Sequence, residues 1–172
     1  MGTGNPGTMA QRGETLGTLG QLDEAVASAL RSGQVGRAVS VRAFLALSAD
    51  HGHLEAVATQ TIVQAAGWFD APVSSVYALG GAEGGQLAAL VEFSAGQSAL
   101  VTVASLAASA SPTADVLVIG NHGTVHWDGR ANENVGDERY APPTLDDTGR
   151  AIRAAIRESL ATSQPVETGA GK

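Results

Sequence analysis

The sequence predicts an α+β fold: an open, mostly antiparallel β-sheet with helices packed on one face. Three observations carry this. Five strand-like segments follow one another from Val73 to Trp127, joined by turn sequences rather than by helices. Longer segments with three- and four-residue apolar spacing stand before and after that run. Several of the strands are apolar at both alternating positions, so both faces of the sheet need cover.

The elements follow in order. Residues 1–18 are rich in Gly and Thr and read as a disordered lead. In "LDEAVASALRSGQVG", Leu22, Val26 and Leu30 recur at four-residue steps, with Asp23 and Glu24 read as the first turn and Gly33 as the stop. "RAVSVRAFLAL" sets Val39, Val41, Ala43 and Leu45 against Ser40, Arg42 and Phe44, the period-2 mark of a strand. Leu54, Val57, Ala58, Thr61, Ile62, Ala65 and Phe69 form one helical stripe, which Pro72 stops. "VSSVYAL", "QLAALVEF", "SALVTVASL", "DVLVIG" and "TVHW" are strands separated by "GGAEGG", "SAGQ", "SPTA" and "NHG". In the second of these, Leu87, Ala89, Val91 and Phe93 share one face while Ala88 and Leu90 share the other. "DGRANENVGDERYAPP" is a polar loop, and Ile152, Ile156 and Leu160 mark a closing helix. The folded domain is expected over 19–166, with 167–172 a disordered tail.

Length and composition bound the function. At 172 residues the chain suits one domain with a core of its own. Apolar residues make up 44% and aromatics 4%, so the core is built from Ala, Val, Leu and Ile. There are no cysteines, which excludes disulfides, thiolate catalysis and Cys-based metal sites. The net charge of −7 argues against nucleic acid, whose phosphates need a basic footprint. The single lysine is Lys172, so no lysine serves as a Schiff base in the body of the chain. No apolar run is long enough for a membrane span, and "MGTGNPGTMAQRGETLG" lacks a signal core, so a cytoplasmic protein is expected.

This succession of weak motifs resembles the C-terminal domain of the glucose–fructose oxidoreductase / inositol dehydrogenase (Gfo/Idh/MocA) family. The stretches that carry the resemblance are "ALRSGQVGRAVSVRAF", "GHLEAVATQTIVQAAGWFDAPVSSVYA", "ALVEFSAGQSALVTVAS", "VLVIGNHGTVHWDG" and "IRESLATSQPV". Together they span about Leu22 to Val166. The resemblance implies a substrate and oligomerisation domain whose sheet face makes subunit contacts. Family members normally begin with a Rossmann domain bearing a Gly-rich turn and a Glu-Lys-Pro lysine. Neither "GTGNPG" nor "GGAEGG" sits between a strand and a helix as that turn must. The family's core helix commonly carries a histidine and, three positions on, an acidic residue facing the nicotinamide. Counted back from "APV", those positions fall near Gln60 and Val63. Glutamine is no general acid or base at neutral pH, and valine orients none. The expectation is therefore a domain without a bound cofactor that performs no hydride transfer unaided.

Other candidate groups follow from the residues themselves. His53, Val57, Gln60 and Gln64 fall on one flank of the long helix at about 100° per residue. Gln60 and Gln64 are candidate ligand-binding groups at the rim of a helix–sheet cleft, and equally suit a solvated rim. Asp50, His51 and His53 are the densest titratable cluster and the candidate acid/base groups for chemistry without a cofactor. The loop that carries them cannot supply a full metal shell, and a third ligand would have to come from afar, from His122 or His126, so no metal is expected. Arg42, Tyr77 and Trp127 are candidate walls of a small-molecule pocket on an open sheet face, with Trp127 equally suited to burial in a dimer. No G-x-S-x-G elbow is present for serine catalysis.

Three classes of function stay open on these grounds. One is a stand-alone, non-redox domain acting as a homodimer through its sheet face, or as accessory subunit to a Rossmann-bearing partner. Another is a cofactor-free lyase, isomerase or cyclase acting on a small sugar- or polyketide-like molecule. A ligand-binding module without catalysis is a third.

Overall fold

The computed structural model describes residues 17–48, 54–106, 113–129 and 145–169. Three helices are present among them: α1 (Gly17–Arg31), α2 (Leu54–Phe69) and α3 (Asp147–Thr162). The strands are β1 (Ala38–Ser48), β2 (Val73–Gly81), β3 (Gln86–Phe93), β4 (Ser98–Leu106), β5 (Thr113–Gly120), β6 (Thr124–Gly129) and β7 (Val166–Glu167). They form one open sheet in the order β6-β5-β1-β4-β3-β2-β7. Every neighbouring pair is antiparallel except β1 and β4, which run parallel at the middle. The α+β class with a mostly antiparallel sheet is thus the observed architecture. The central parallel pair was not expected, because hairpin spacing reports only on neighbours in sequence. β1 enters between β4 and β5, and α2 carries the chain on from it toward β2.

All three helices lie on one face of the sheet. α2 packs on β1, β3 and β4, α3 on β2 and α2, and α1 on α2 and β6. The core between the layers holds Val41, Ala43 and Leu45 of β1, Leu87, Ala89 and Val91 of β3, and Val101 and Val103 of β4. The expected stripe of α2, from Leu54 to Phe69, is buried in full. Two of its threonines sit in apolar surroundings because each hydroxyl bonds a carbonyl one turn back, Thr59 to Glu55 at 2.7 Å and Thr61 to Val57 at 2.9 Å. Phe69 meets Phe93 edge-on at 4.7 Å between ring centroids.

Side-chain anchors tie the helices down. The Trp68 indole N–H donates to Asp23 Oδ1 at 2.7 Å, joining α2 to α1. Asp23 thus lies within α1, which starts at Gly17, ahead of the expected first turn. Arg157 Nε donates to Glu55 Oε2 at 2.7 Å, joining α3 to the first turn of α2. Asp146 caps α3, accepting from Gly149 N–H at 2.7 Å.

At the far edge, Ser159 is fully buried. Its hydroxyl accepts from Ala78 N–H of β2 at 2.9 Å and donates to Gln164 O at 2.7 Å. One helix side chain therefore satisfies a strand donor on the side where β7 is too short to reach. Beyond Val166, Glu167 pairs with Ser75, and Thr168 Oγ1 donates to Val73 O. Ser159→Ala leaves the Ala78 donor and the Gln164 acceptor unpaired, an expected loss of about 1–3 kcal/mol in urea denaturation. A change below about 0.5 kcal/mol, the size of an ordinary surface substitution, would contradict this role.

β1 departs from simple alternation at its start. A β-bulge between Ala38 and Ser40 makes Val39 the extra residue against β5. Ala38 is buried and Val39 is exposed, so Val39 does not share the inward face expected for it with Val41, Ala43 and Leu45.

Candidate functional site

The face of the sheet turned away from the helices carries a contiguous apolar surface. Its rows can be read across the strands from the pairing register. One row is His126, Leu117, Arg42, Leu100, Leu90 and Tyr77. The next is Asp128, Asp115, Phe44, Thr102, Ala88 and Leu79. A third, on the other side of the first, is Thr124, Ile119, Ser40, Ser98, Glu92 and Ser75. Phe44, Leu79, Leu90, Leu100 and Ile119 are all exposed, with Leu90 at 47% and Leu100 at 42%. Grouped large hydrophobics on a polar-rimmed face mark an interaction surface, whereas scattered ones need no explanation.

Polar groups ring this patch. His126 Nε2 lies 3.3 Å from Asp115 Oδ2 at the β5–β6 corner. Glu92 accepts from Ser75 Oγ at 3.3 Å at the β3–β2 corner. Ser40 and Ser98 hydroxyls lie 3.4 Å apart between those corners. Arg42 stands inside the apolar row between Leu117 and Leu100, with no carboxylate pairing with it among the described residues.

The residues singled out in the sequence fall in three places. Gln60 and Gln64 lie one turn apart on α2, half-buried, and each is engaged in an interaction of its own. Arg42 and Tyr77 lie on the outer face, in the same row but on β1 and β2, with β4 and β3 between them. Three strand spacings of ~4.8 Å put them about 14 Å apart, too far to wall one small pocket together. Trp127 lies on the opposite face. It pairs with the buried Val116 and packs on the core, because β6 alternates in phase with β5. The three expected walls are therefore not brought together. Asp50, His51 and His53 lie outside the described residues, between the end of β1 and the start of α2. The expected turn at Asn121–His122–Gly123 is present, with His122 exposed at its tip. No group of three or more His, Cys, Asp or Glu suited to a metal occurs among the described residues.

Sequence reasoning missed the role of that turn. Asn121 Oδ1 accepts from Arg37 N–H at 2.8 Å, Asn121 N–H donates to Arg37 O at 3.1 Å, and His122 N–H donates to Val35 O at 3.1 Å. The hairpin tip is thereby docked on the loop between α1 and β1. The pairing of Asn-x-Gly with the upstream "SGQVGR" was the one available signal, and it is weak, because the partners are about 84 positions apart.

The fold of this chain, a seven-stranded mixed sheet with helices on one face, is similar to part of several solved dehydrogenase structures. Neither a protein-family model nor a curated protein sequence matches the chain. Solved structures do. Scyllo-inositol dehydrogenase from Lactobacillus casei, determined with bound NAD(H) and scyllo-inositol, superposes with a TM-score of 0.65 at 14% identity over 90% of this chain and 64% of that one. A probable dehydrogenase from Thermotoga maritima gives 0.66 at 14% identity over 90% and 63%. The WlbA dehydrogenase from Bordetella pertussis, in complex with NADH and UDP-GlcNAcA, gives 0.58 at 18% identity over 84% and 58%. The chain thus spans less than two thirds of the length of the structures it matches. At these identities the likeness is one of fold. No helix among the described residues is long and apolar enough to cross a membrane.

Proposed function

We propose that this chain is a C-terminal-type domain of the Gfo/Idh/MocA oxidoreductases, serving substrate binding and assembly rather than hydride transfer, and that two copies associate through the outer face of the sheet. The observation that carries the reading is the bare row of Leu117, Leu100, Leu90 and Tyr77 beside Phe44 and Leu79, on a sheet whose other face is already covered by α1, α2 and α3. An antiparallel sheet that turns one face to water normally presents polar residues there. The likeness to dehydrogenases over most of this chain but under two thirds of theirs supports a domain that works beside a nucleotide-binding domain. Gln60 and Val63 at the positions matched to the family's histidine and acid support a role other than proton transfer. Any dinucleotide is then held by a Rossmann domain beside this one, with Gln60 and Gln64 of α2 on the substrate side.

Light scattering after size exclusion tests the assembly directly. The wild-type chain is expected at twice its 17.3 kDa mass. Leu100→Glu places a charge at the middle of the apolar row and is expected to return the single-chain mass with the fold intact by circular dichroism. A wild-type protein that stays monomeric at about 100 μM, where an interface of ordinary size is populated, overturns the proposal.

A further inference from the structure

The outer face also carries what would set the register of such a pair, an inference that rests on the assembly reading above. We infer that the two-fold axis runs along β4, laying β1 of one copy over β3 of the other, and that Arg42 pairs reciprocally with Glu92 of the partner subunit.

The size of the face suits a second copy. Six strands at ~4.8 Å spacing and about seven residues at ~3.3 Å rise give the face roughly 650–700 Å², of which the five columns from β5 to β2 overlap about an axis on β4. A standard interface buries about 800 Å² on each partner. In an isologous pair every contact occurs twice, so both halves of each complementary contact must lie on one face, on opposite sides of the axis. β4 is the strand with that property. Its neighbours are β1, bearing Arg42 and Phe44, and β3, bearing Glu92, Leu90 and Ala88. Rotation about β4 exchanges those two columns.

Three contacts then fit. Phe44, the bulkiest exposed side chain of the patch, faces the column position of Ala88, the smallest in its row. Leu100 of β4 lies on the axis and meets its own copy. Arg42 and Glu92 sit in neighbouring rows, one two-residue step of ~7 Å apart along the strands. Across sheets ~10 Å apart, an extended arginine and a glutamate span that offset. Among the described residues Arg42 has no carboxylate partner and Glu92 has no cation. Each is a charge at the apolar patch whose partner the symmetry supplies. Asp115, Asp128 and His126 lie out toward the β6 edge, away from the axis.

Charge reversal tests the register separately from the assembly. Arg42→Glu and Glu92→Arg are each expected to weaken self-association at least ~tenfold, since each sets like charges face to face twice. An equimolar mixture of the two variants is expected to recover dimers within about threefold of wild-type affinity, because each mixed pair restores both contacts. The neutral variants Arg42→Gln and Glu92→Gln, read by sedimentation equilibrium as a double-mutant cycle, give the same coupling should a reversed charge disturb the fold. A wild-type dimer that Leu100→Glu dissociates, but that tolerates both reversals, overturns the β4 register and leaves the assembly reading standing. Reversals that weaken the dimer without recovery in the mixture overturn the Arg42–Glu92 pairing. A monomeric wild type overturns register and assembly together.

Discussion

Leu87→Ala is expected to cost about 3–5 kcal/mol, while Leu90→Ala, three positions along the same strand, changes the stability of a single chain by less than ~0.5 kcal/mol. Both are leucines of β3, with the same intrinsic strand preference and backbone neighbours that differ little. Their side chains point to opposite faces. Leu87 is fully buried between Gly80 of β2 and Val103 of β4, beneath the helix layer. Truncating it removes three carbons from a packed core, and its sheet neighbours Ala89, Val101 and Val103 are too small to fill the gap. Leu90 is 47% exposed and leaves no cavity. At 2–4 °C per kcal/mol for a chain of this size, the Leu87 variant should melt about 10 °C lower. Thermal and urea denaturation at low protein concentration keep association out of the comparison. Equal losses at the two positions would mean that the outer face is covered within one chain, which would remove the basis for the proposed assembly.

The same strand shows what the sequence makes legible. "QLAALVEF" is apolar at Leu87, Ala89, Val91 and Phe93 and again at Ala88 and Leu90, and both faces were readable because a strand's period is two. The stripe of α2 was readable for the corresponding reason, since seven residues at helical spacing leave one solution for which side is buried. The parallel pairing of β1 with β4 was not readable. It joins Ser40 to Ser98 across an intervening helix and two strands, and no local pattern encodes a partner at that separation. The bulge at Val39 was hidden because it arises in the pairing with β5, not in β1 itself.

The candidate site was less legible than the fold. Alternation placed Arg42 on the opposite face of β1 from Val41 and Ala43, and the structure agrees. Grouping Arg42 with Tyr77 and Trp127 required the strand order and the relative phase of β6, which depend on long-range register. Leu117, Leu100 and Leu90 were read as sheet residues, but their meeting in one row is a product of three separate pairings. An interaction surface on a sheet is written across strands, so its residues are scattered through the sequence even where each is individually conspicuous.

That dependence on register makes Gly120 a position where a single methyl group should do great harm. Gly120→Ala is expected to destabilise the chain by about 2–4 kcal/mol. A Cβ at Gly120 would run into the Val35 carbonyl oxygen and side chain and come within 3.0 Å of Arg37 O. Those carbonyls belong to backbone that the hairpin tip already holds through Arg37–Asn121 and Val35–His122 hydrogen bonds, so relief requires undocking the tip. Undocking exposes the Arg37 N–H and O and the Val35 O, and frees the junction where Ala38 pairs with Gly120. The control is Gly67→Ala. Gly67 is an exposed residue of α2 with open space where its Cβ would lie, and alanine there should raise stability by about 0.5–1 kcal/mol through the lower entropy of the unfolded chain. Opposite signs from the same chemical change, measured in urea, isolate close packing from backbone entropy. Because β5 carries Leu117 and Ile119 and pairs with Arg42 and Ser40, a slipped tip also disorders one side of the outer row. The Gly120 variant should therefore self-associate more weakly even under conditions where most of it remains folded. Unchanged stability in Gly120→Ala would show that the docked turn yields without cost, and that β1 and β5 hold their register through ladder hydrogen bonds alone.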